Sequence, residues 1–388
     1  MANLEYLKAK TTEYAIILSR INKELQALAH KKAEHQWLIN YLQDQLKDAQ
    51  ISHKRLKSIV NKNTGQQNLL NKAVTQIHLL EYSIYSINYN YLPALQKENS
   101  ADLALRELLL SSAKRLSMFW VKDIIICSDE PLAIIPSPPE YPIIFSPPQQ
   151  AISLLEIPGL YHELGHDVFQ KFEEIDKQLY RTVSSHFNKL SSELGRLNPE
   201  SKDRQKQKIK EALEYWNTER LNEIFCDIFG TFTCGIAHYI SCIDMGIRFK
   251  EKPYDVDFRD EHPPLYARVY ACYQTLTPTQ RKEKITIIAK NSWNDYTNNN
   301  HKSSDFNLIC AEPLLKSIVK IAILTIQELL PDCQRYETPL IDDSEIEKIP
   351  DNILLEDILN QAAKLLLNYP ERYEDWETKI FKALKFSS

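Results

Sequence analysis

The stretch that decides the fold of the central part of the chain is "IPGLYHELGHDVF", from Ile157 to Phe169. It carries His162 and His166 four residues apart, with Glu163 directly after the first histidine. In a helix, residues i and i+4 lie on one face, so both imidazoles can bind the same ion. Glu163 is then placed to take a proton from water at that ion. The alternative is a solvated helix face that carries two histidines by chance.

A catalytic zinc ion needs a third protein ligand and one position left for water. The extended H-E-x-x-H-x-x-G-x-x-H pattern would place that ligand at position 172, which in this chain is Phe172. A second segment, "RLNEIFCDIFGTF" (Arg220–Phe232), offers Glu223 as a ligand, with Asp227 one helical turn further on. Asp227 can accept a hydrogen bond from a ligand imidazole, which orients the ring and raises its basicity. The alternative is that both carboxylates belong to ordinary surface ion pairs.

The spacing of the two segments predicts how they face each other. If the turn near Gly195–Ser201 closes an antiparallel helix pair, Glu223 lies roughly opposite His166, and Asp227 lies opposite His162. The sequence therefore predicts three metal ligands and one supporting carboxylate on two facing helices.

Three motifs in this order resemble a known group of enzymes. "HELGH" with "NEIFCDIFG" resembles the gluzincin metallopeptidases, and the second segment is similar to the N-E-x-x-x-D-x-x-G segment of thermolysin-type enzymes. "DEHPPLYARVY" (Asp260–Tyr270) resembles the H-P-P-x-x-x-R segment of the CAAX-prenyl-protease and heat-shock membrane metallopeptidases. The resemblance covers Gly159–Arg268, and the membrane helices of that last group have no counterpart in this chain.

The resemblance implies a fold, a cofactor and a reaction. It implies a helical zincin-like domain that binds one zinc ion through His162, His166 and Glu223. Asp227 then supports a ligand imidazole, and Glu163 is the general base in the hydrolysis of a peptide bond.

The third motif contains further candidates. His262 is the first candidate to stabilise the oxyanion and Tyr266 the second, whereas Arg268 is expected to brace the ligand helices. Two alternatives stay open for His262, which can cover the open zinc position or act as a structural histidine before a helix that starts at Pro263. Structural roles also remain open for Tyr266 and Arg268.

The substrate is expected to pair with an edge strand above the site, as in peptidases of this class. The segment "YPIIF" is the best placed sequence for that strand, which makes Ile143, Ile144 and Phe145 the candidate substrate-binding residues.

The spacing of apolar residues over positions 1–119 predicts long helices. Apolar residues step by four and three through a first segment, the turn signal "NKNTGQQ" (Asn61–Gln67) follows, and a second segment repeats the spacing up to Pro93, which is expected to end it. We interpret this pattern as a helical hairpin or coiled-coil arm that is either structural or binds a partner, and binding to a second copy stays open. The first seam contains Tyr14, Leu18, Ile21, Leu25, Leu28, Ile39, Leu42, Leu46, Leu56 and Val60.

The rest of the chain divides into two further regions. Seven of the 19 prolines lie between residues 128 and 150, so no helix is expected there, and short strands are predicted near 121–145. We predict a mainly α protein with a small β element, in which residues 1–119 form the arm, 120–295 the zincin-like domain and 296–388 a C-terminal helical region.

Composition narrows the classes of function. The formal net charge is −5 with dispersed basic residues, which argues against binding to nucleic acid. Neither a signal-peptide core nor a membrane span is evident in the sequence. The seven cysteines are scattered without a CxxC pair, so we expect reduced side chains and a cytoplasmic location.

Three hypotheses of function follow. The first is a zinc endopeptidase that its N-terminal helices position on a protein substrate or regulate. The second is a coiled-coil scaffold or regulator whose zinc site is structural or latent. The third is a latent peptidase that a partner or a ligand releases.

Overall fold

The fold is mainly α with a small β element, as the sequence predicts. None of the described helices is long and apolar enough to cross a membrane. The computed structural model describes residues 4–62, 67–98, 100–127, 133–135, 138, 140–145, 154–194, 199–248, 251–298, 300–337 and 354–383. The turn predicted at Asn61–Gln67, the break at Gly195–Ser201 and the proline-rich segment therefore lie partly outside the described residues.

The chain forms two compact units whose boundaries differ from the predicted domains. Unit 1 contains residues 1–106 and 120–146, and unit 2 contains residues 107–119 and 147–388. The small sheet belongs to unit 1 because Ile125, Tyr141 and Ile143 pack in the same hydrophobic core as the N-terminal helices. The C-terminal region is part of unit 2.

Unit 1 is built on three successive long helices and a short fourth one. The predicted seam is correct, since its residues are buried, but the first segment is two helices separated by a 3-10 turn at Ala33–His35. The seam is therefore covered by helices of the same unit. The helices are α1 (Leu4–Lys31), α2 (Gln36–Lys62), α3 (Gln67–Tyr85) and α4 (Leu92–Lys97), and α5 (Ser100–Arg115) begins in this unit.

The prediction that the helix ends at Pro93 is wrong. A π-helical turn at Ser86–Tyr91 connects α3 to α4, and the backbone N–H of Leu92 donates to Ile87 O. The wider turn shifts the hydrogen-bond register, so that Pro93 falls in the first turn of α4, where its missing N–H costs little. The helical path therefore continues to Lys97.

The sheet has three strands at the positions that the sequence predicts, in the order β1-β3-β2. The strands are β1 (Ile125–Cys127), β2 (Ala133–Ile135) and β3 (Ile143–Phe145); β3 pairs parallel with β1 and antiparallel with β2. The prediction that Ile143, Ile144 and Phe145 form an edge strand is wrong. All three residues are paired on both sides, so β3 offers no free edge to a substrate backbone.

Unit 2 is helical and is organised around one central helix. Every residue of α9 from Ile224 to Cys234 is buried, as expected of a helix surrounded by other helices. Its neighbours include α6, α7, α10, α11, α14 and α15. The helices are α6 (Gly159–Lys171), α7 (Glu173–Glu193), α8 (Pro199–Tyr215), α9 (Thr218–Cys234), α10 (Ile236–Arg248), α11 (Leu265–Thr275), α12 (Lys284–Thr297), α13 (Ser304–Ile309), α14 (Glu312–Leu329), α15 (Leu355–Asn368) and α16 (Pro370–Ala383).

The two motif helices, α6 and α9, cross at Gly165. A Cβ atom at Gly165 would lie 2.9 Å from the Cα atom of Cys226, so the glycine permits a backbone approach that no other residue allows. The predicted antiparallel register is correct for these two helices, since Asp227 lies by His162 and Glu223 by His166, but the segment in which the turn was predicted falls between α7 and α8 rather than between α6 and α9.

A buried histidine in unit 1 explains why α1 and α2 are separate helices. His35, in the 3-10 turn, has its Nδ1 2.9 Å from Asp123 Oδ2 and its Nε2 2.5 Å from Glu98 Oε2. Arg106 and Lys32 pair with the same two carboxylates. Burial alone would lower the pKa of His35, but hydrogen bonds with Asp123 and Glu98 raise it to about 9. The imidazolium therefore ties the turn to the segments that carry Glu98 and Asp123.

We predict that this imidazolium makes the stability of the protein depend on pH. The folded pKa lies above the ordinary value of 6.5, so the contribution is complete below about pH 6.5 and is lost as the pH rises through about 9. The loss is on the order of 2–3 kcal/mol. Chemical unfolding of wild type and His35→Gln between pH 6 and pH 9.5 should show a shallower slope in His35→Gln, because the variant removes the contribution of His35 and keeps that of the buried His162. His30→Gln, at an exposed position of α1, is the control, and an equal slope in His35→Gln would contradict the prediction.

Candidate metal centre

Helices α6 and α9 bring the three predicted ligands together. Glu223 Oε2 lies 3.3 Å from His162 Nε2, and Glu223 Oε1 lies 3.5 Å from His166 Nε2. The two imidazole rings are nearly perpendicular, with centroids 4.9 Å apart. One carboxylate on α9 therefore faces both imidazoles on α6.

A hydrogen-bonded chain behind the ligands fixes the orientation of His162. Its Nδ1 lies 3.0 Å from Asp227 Oδ1, so Nδ1 carries the hydrogen and Nε2 points to Glu223. Arg268 on α11 donates to both oxygens of Asp227, from Nε at 2.6 Å and from Nη2 at 3.1 Å. The structure thus places Asp227 and Arg268 behind the candidate ligands, where the sequence predicts them.

Glu163 points into the same cluster and is nearly inaccessible to solvent, with 5 % of its surface exposed. Its Oε2 has no hydrogen-bond partner among the described residues, and His166 Nε2 lies 4.0 Å away. Burial raises the pKa of Glu163 to about 7. A buried carboxylate oxygen without a protein partner is suited to hold a proton from a bound water.

His166 has a neighbour that the sequence reasoning missed. Asn222, the residue before Glu223, forms a side-chain hydrogen bond with His166 and accepts one from Cys226 Sγ at 3.3 Å. Cys226 Sγ also lies close to both imidazoles: it and one ring nitrogen each of His162 and His166 are within 4.8 Å of one another. The sequence feature that could have identified Asn222 is its position in the "NEIFCD" segment, directly before the candidate ligand Glu223.

The charges of the cluster depend on one proton. Burial alone would lower the pKa of His162, but its hydrogen bonds with Asp227 and Glu223 raise it to about 10. Burial lowers the pKa of His166 to about 4. Burial alone would raise the pKa of Glu223, but the hydrogen bond with His162 lowers it to about 2. The proton on His162 is therefore the positive charge closest to Glu223.

A metal ion can take the place of that proton. A tetrahedral zinc ion with ligand bonds of about 2.0–2.1 Å sets neighbouring ligand atoms about 3.3–3.4 Å apart. Two of the ligand–ligand distances are of this size: Glu223 Oε2 lies 3.3 Å from His162 Nε2, and the other oxygen, Oε1, lies 3.5 Å from His166 Nε2, as for a carboxylate that offers both oxygens. Two imidazole nitrogens and a carboxylate are also a donor set that zinc prefers, and metal binding displaces ligand protons. His162, His166 and Glu223 could therefore hold a zinc ion.

His262 lies at the open side of the cluster. Its Nε2 is 3.5 Å from Glu223 Oε2, and 52 % of its side chain is exposed. Asp260 orients the ring, since its Oδ1 is 2.9 Å from His262 Nδ1 and also accepts from the His262 backbone N–H. Arg220 of α9 donates to the backbone oxygens of Asp257 and Asp260 and so holds this loop. Sequence reasoning missed Asp260 and Arg220, although the D-x-H spacing of a local turn was visible.

Tyr266 is placed differently from His262. Its ring packs against Tyr254, Trp293 and Phe306, with ring centroids 5.0–6.5 Å apart. None of its described contacts is with the candidate ligands, so its contacts support a packing role. The strand β3, which carries Ile143–Phe145, belongs to unit 1, whereas the candidate ligands belong to unit 2.

A further buried histidine lies behind His162. His238 of α10 has its ring nearly parallel to that of His162, with centroids 6.5 Å apart, and its Nδ1 is 3.1 Å from Thr231 Oγ1. Gly230 makes room for it, because a Cβ atom there would lie within 2.4 Å of the His238 ring. Burial lowers the pKa of His238 to about 3, so it is a neutral packing residue.

Comparison with known proteins gave no match, since no family model, no curated protein and no solved structure matches the chain. The resemblance to gluzincins therefore rests on the motif residues alone.

Proposed function

We propose that this chain is a zinc-dependent endopeptidase that cleaves a protein substrate. The observation that carries the proposal is the position of the Glu223 carboxylate, within 3.3 and 3.5 Å of the Nε2 atoms of His162 and His166. The unpartnered oxygen of Glu163 beside them adds a general base. A purely structural zinc site would need no such base.

Each polar residue of the cluster has a part in the proposed reaction. Bound zinc would supply a Lewis acid that acidifies a water molecule and polarises the peptide carbonyl. Glu163 Oε2 takes a proton from the attacking water and returns it to the leaving amine. Asp227 keeps the proton of His162 on Nδ1, so that Nε2 would be free to hold the ion. His262, whose Nδ1–H is held by Asp260, donates from Nε2 to the developing oxyanion as an imidazolium.

Unit 1 is proposed to position the substrate protein. Its helices expose large aromatic side chains of the kind enriched in protein interfaces, including Trp37 at 68 % and Tyr82 at 79 % exposure. The heptad seam is buried inside the unit, so self-association would have to use these outer faces. The cytoplasm is the compartment we propose, because the six cysteines with described side chains are free and buried.

We predict about one zinc ion per chain and its loss on substitution of a ligand. His166→Ala should weaken zinc affinity by more than about 100-fold, whereas Asp227→Asn should lower it by about 10–100-fold because it removes only a supporting contact. Metal analysis after dialysis, with a competing chelator, measures both effects. His301→Ala, an exposed histidine, is the control. Unchanged zinc content in His166→Ala would refute the ligand assignment.

We predict that Glu163→Gln keeps the zinc and loses activity by at least about 100-fold, because the amide cannot accept the proton. The measurement is the number of new peptide termini after zinc-loaded protein is incubated with a cell lysate. Glu219→Gln, at an exposed position of α9, is the matched control. Equal cleavage by wild type and Glu163→Gln would exclude the mechanism, and zinc binding without cleavage by either would favour the scaffold hypothesis.

The position of His262 favours a second candidate function, a latent peptidase. Its Nε2 lies 3.5 Å from Glu223 Oε2, close enough for the imidazole to cover the open side of the site.

We predict that His262→Ala lowers kcat about 100-fold with little change in KM, as expected for the loss of an oxyanion donor. Steady-state kinetics on a cleaved peptide measures both constants. A rise in kcat would instead identify His262 as a cover and support the latent form.

A further inference from the structure

A second site candidate lies in unit 2, in a cavity of about 260 Å³ between α10, α11, α12 and α14. Its walls are mainly aromatic, and they continue the hydrophobic core that contains Tyr239, Val269 and Trp293. The aromatic residues that line it are Tyr239, Tyr266, Tyr270, Tyr273 and Trp293.

The rim of the cavity carries charged side chains from two helices. Lys290 comes from α12, and Lys316 and Glu312 come from α14. Glu312 is already engaged, because it accepts from the Tyr270 hydroxyl at 3.4 Å and lies 3.9 Å from Lys316 Nζ. The two lysines against one carboxylate leave a net positive charge at the rim.

The ammonium group of Lys290 packs against the aromatic wall of the cavity. Its Nζ lies 4.5 Å from the centroid of the Tyr273 ring and 3.3 Å from the Tyr273 hydroxyl. Among the described residues, no carboxylate forms an ion pair with it within 4.0 Å. The ammonium group is thus held at the edge of an aromatic wall, where an anionic group on a bound ring could reach it.

The cavity is separate from the candidate metal centre. Tyr266, Tyr270 and Tyr273 lie on the face of α11 opposite Arg268, because at 100° per residue they are all at least about 140° away from it around the helix axis. Arg268 faces Asp227, whereas the three tyrosines face α12 and α14. A ligand here would not touch the candidate metal ligands.

We propose that this cavity binds a small aromatic anion, a planar system of one or two rings that carries a carboxylate or a phosphate group. The aromatic walls stack on the ring, and Lys290 and Lys316 pair with the anionic group. The volume lies just below the usual range for small-molecule sites, which restricts the buried part of the ligand to about the size of an indole or a purine. The proposal is independent of the peptidase proposal.

The test is calorimetric titration of the full chain with four probes. Indole-3-acetate and adenosine monophosphate both carry a ring and an anion, adenosine carries only the ring, and inorganic phosphate carries only the anion. We expect saturable binding of at least one of the first two, with a dissociation constant between about 1 μM and 1 mM. Adenosine and phosphate should bind at least about tenfold more weakly. The preferred probe identifies which of the two combinations of ring and anionic group the cavity accepts.

Paired variants locate the binding. The double variant Lys290→Gln and Lys316→Gln should weaken the preferred probe about tenfold or more, since two charge-assisted contacts are lost. The matched control is Lys284→Gln with Lys320→Gln, two exposed lysines on the same helices outside the cavity. The proposal is overturned if neither aromatic anion binds, if adenosine or phosphate binds equally well, or if both double variants behave alike.

Discussion

The close crossing of α6 and α9 is the constraint on which the candidate metal centre depends. It exists because Gly165 has no side chain, so that the backbone of Cys226 can approach α6. At this separation Glu223 reaches both imidazoles of α6, and Asp227 reaches the Nδ1 of His162. A larger residue at position 165 would push the helices apart and lengthen all of these contacts together.

The buried charges around this crossing are balanced in a way that suits a dication. Glu223 and Asp227 hold two negative charges in a nearly dry region, where unpaired carboxylates would cost several kcal/mol each. Arg268 offsets Asp227 with two hydrogen bonds, and the proton on His162 offsets Glu223. If zinc replaced the proton at His162 Nε2, Glu223 would pair with the ion, and the Nδ1–H of His162 would still donate to Asp227. The arrangement behind the ligands is therefore the same with a proton or with a metal ion.

The sequence was most informative where chemistry is tied to spacing along one helix. The separation of His162 and His166, and that of Glu223 and Asp227, predicted their contacts because a helix places i and i+4 on one face. Contacts that depend on loops or on partners distant in sequence were not predictable in this way. Asp260 and Arg220 hold His262 through a turn and through backbone oxygens, for which no periodic pattern exists. The central position of β3 depends on the order of the strands in the sheet. Strands of three residues are too short for the sequence to indicate that order.

The positions at which helices begin and end were also poorly predicted from the sequence. Proline at position 93 predicted an end, yet a π-helical turn shifted the register and allowed the helix to continue. Lys32 and His35 interrupt the heptad seam in the sequence, but this interruption did not predict a break in the helix, because the turn there is stabilised by charges on residues 98 and 123. Local sequence therefore identified which residues are buried more reliably than where each helix begins and ends.

Helix α11 connects the chemistry of the metal centre to the rest of unit 2. One of its faces presents Arg268 to Asp227 through two hydrogen bonds of 2.6 and 3.1 Å, and its opposite face forms a wall of the aromatic cavity. Hydrogen bonds of this kind weaken steeply when the distance grows or the angle closes, so a displacement of α11 by about 1 Å would be felt at Asp227. Because Asp227 determines which nitrogen of His162 carries the hydrogen, the packing of α11 against α12 and α14 is part of what keeps the Nε2 of His162 directed at Glu223.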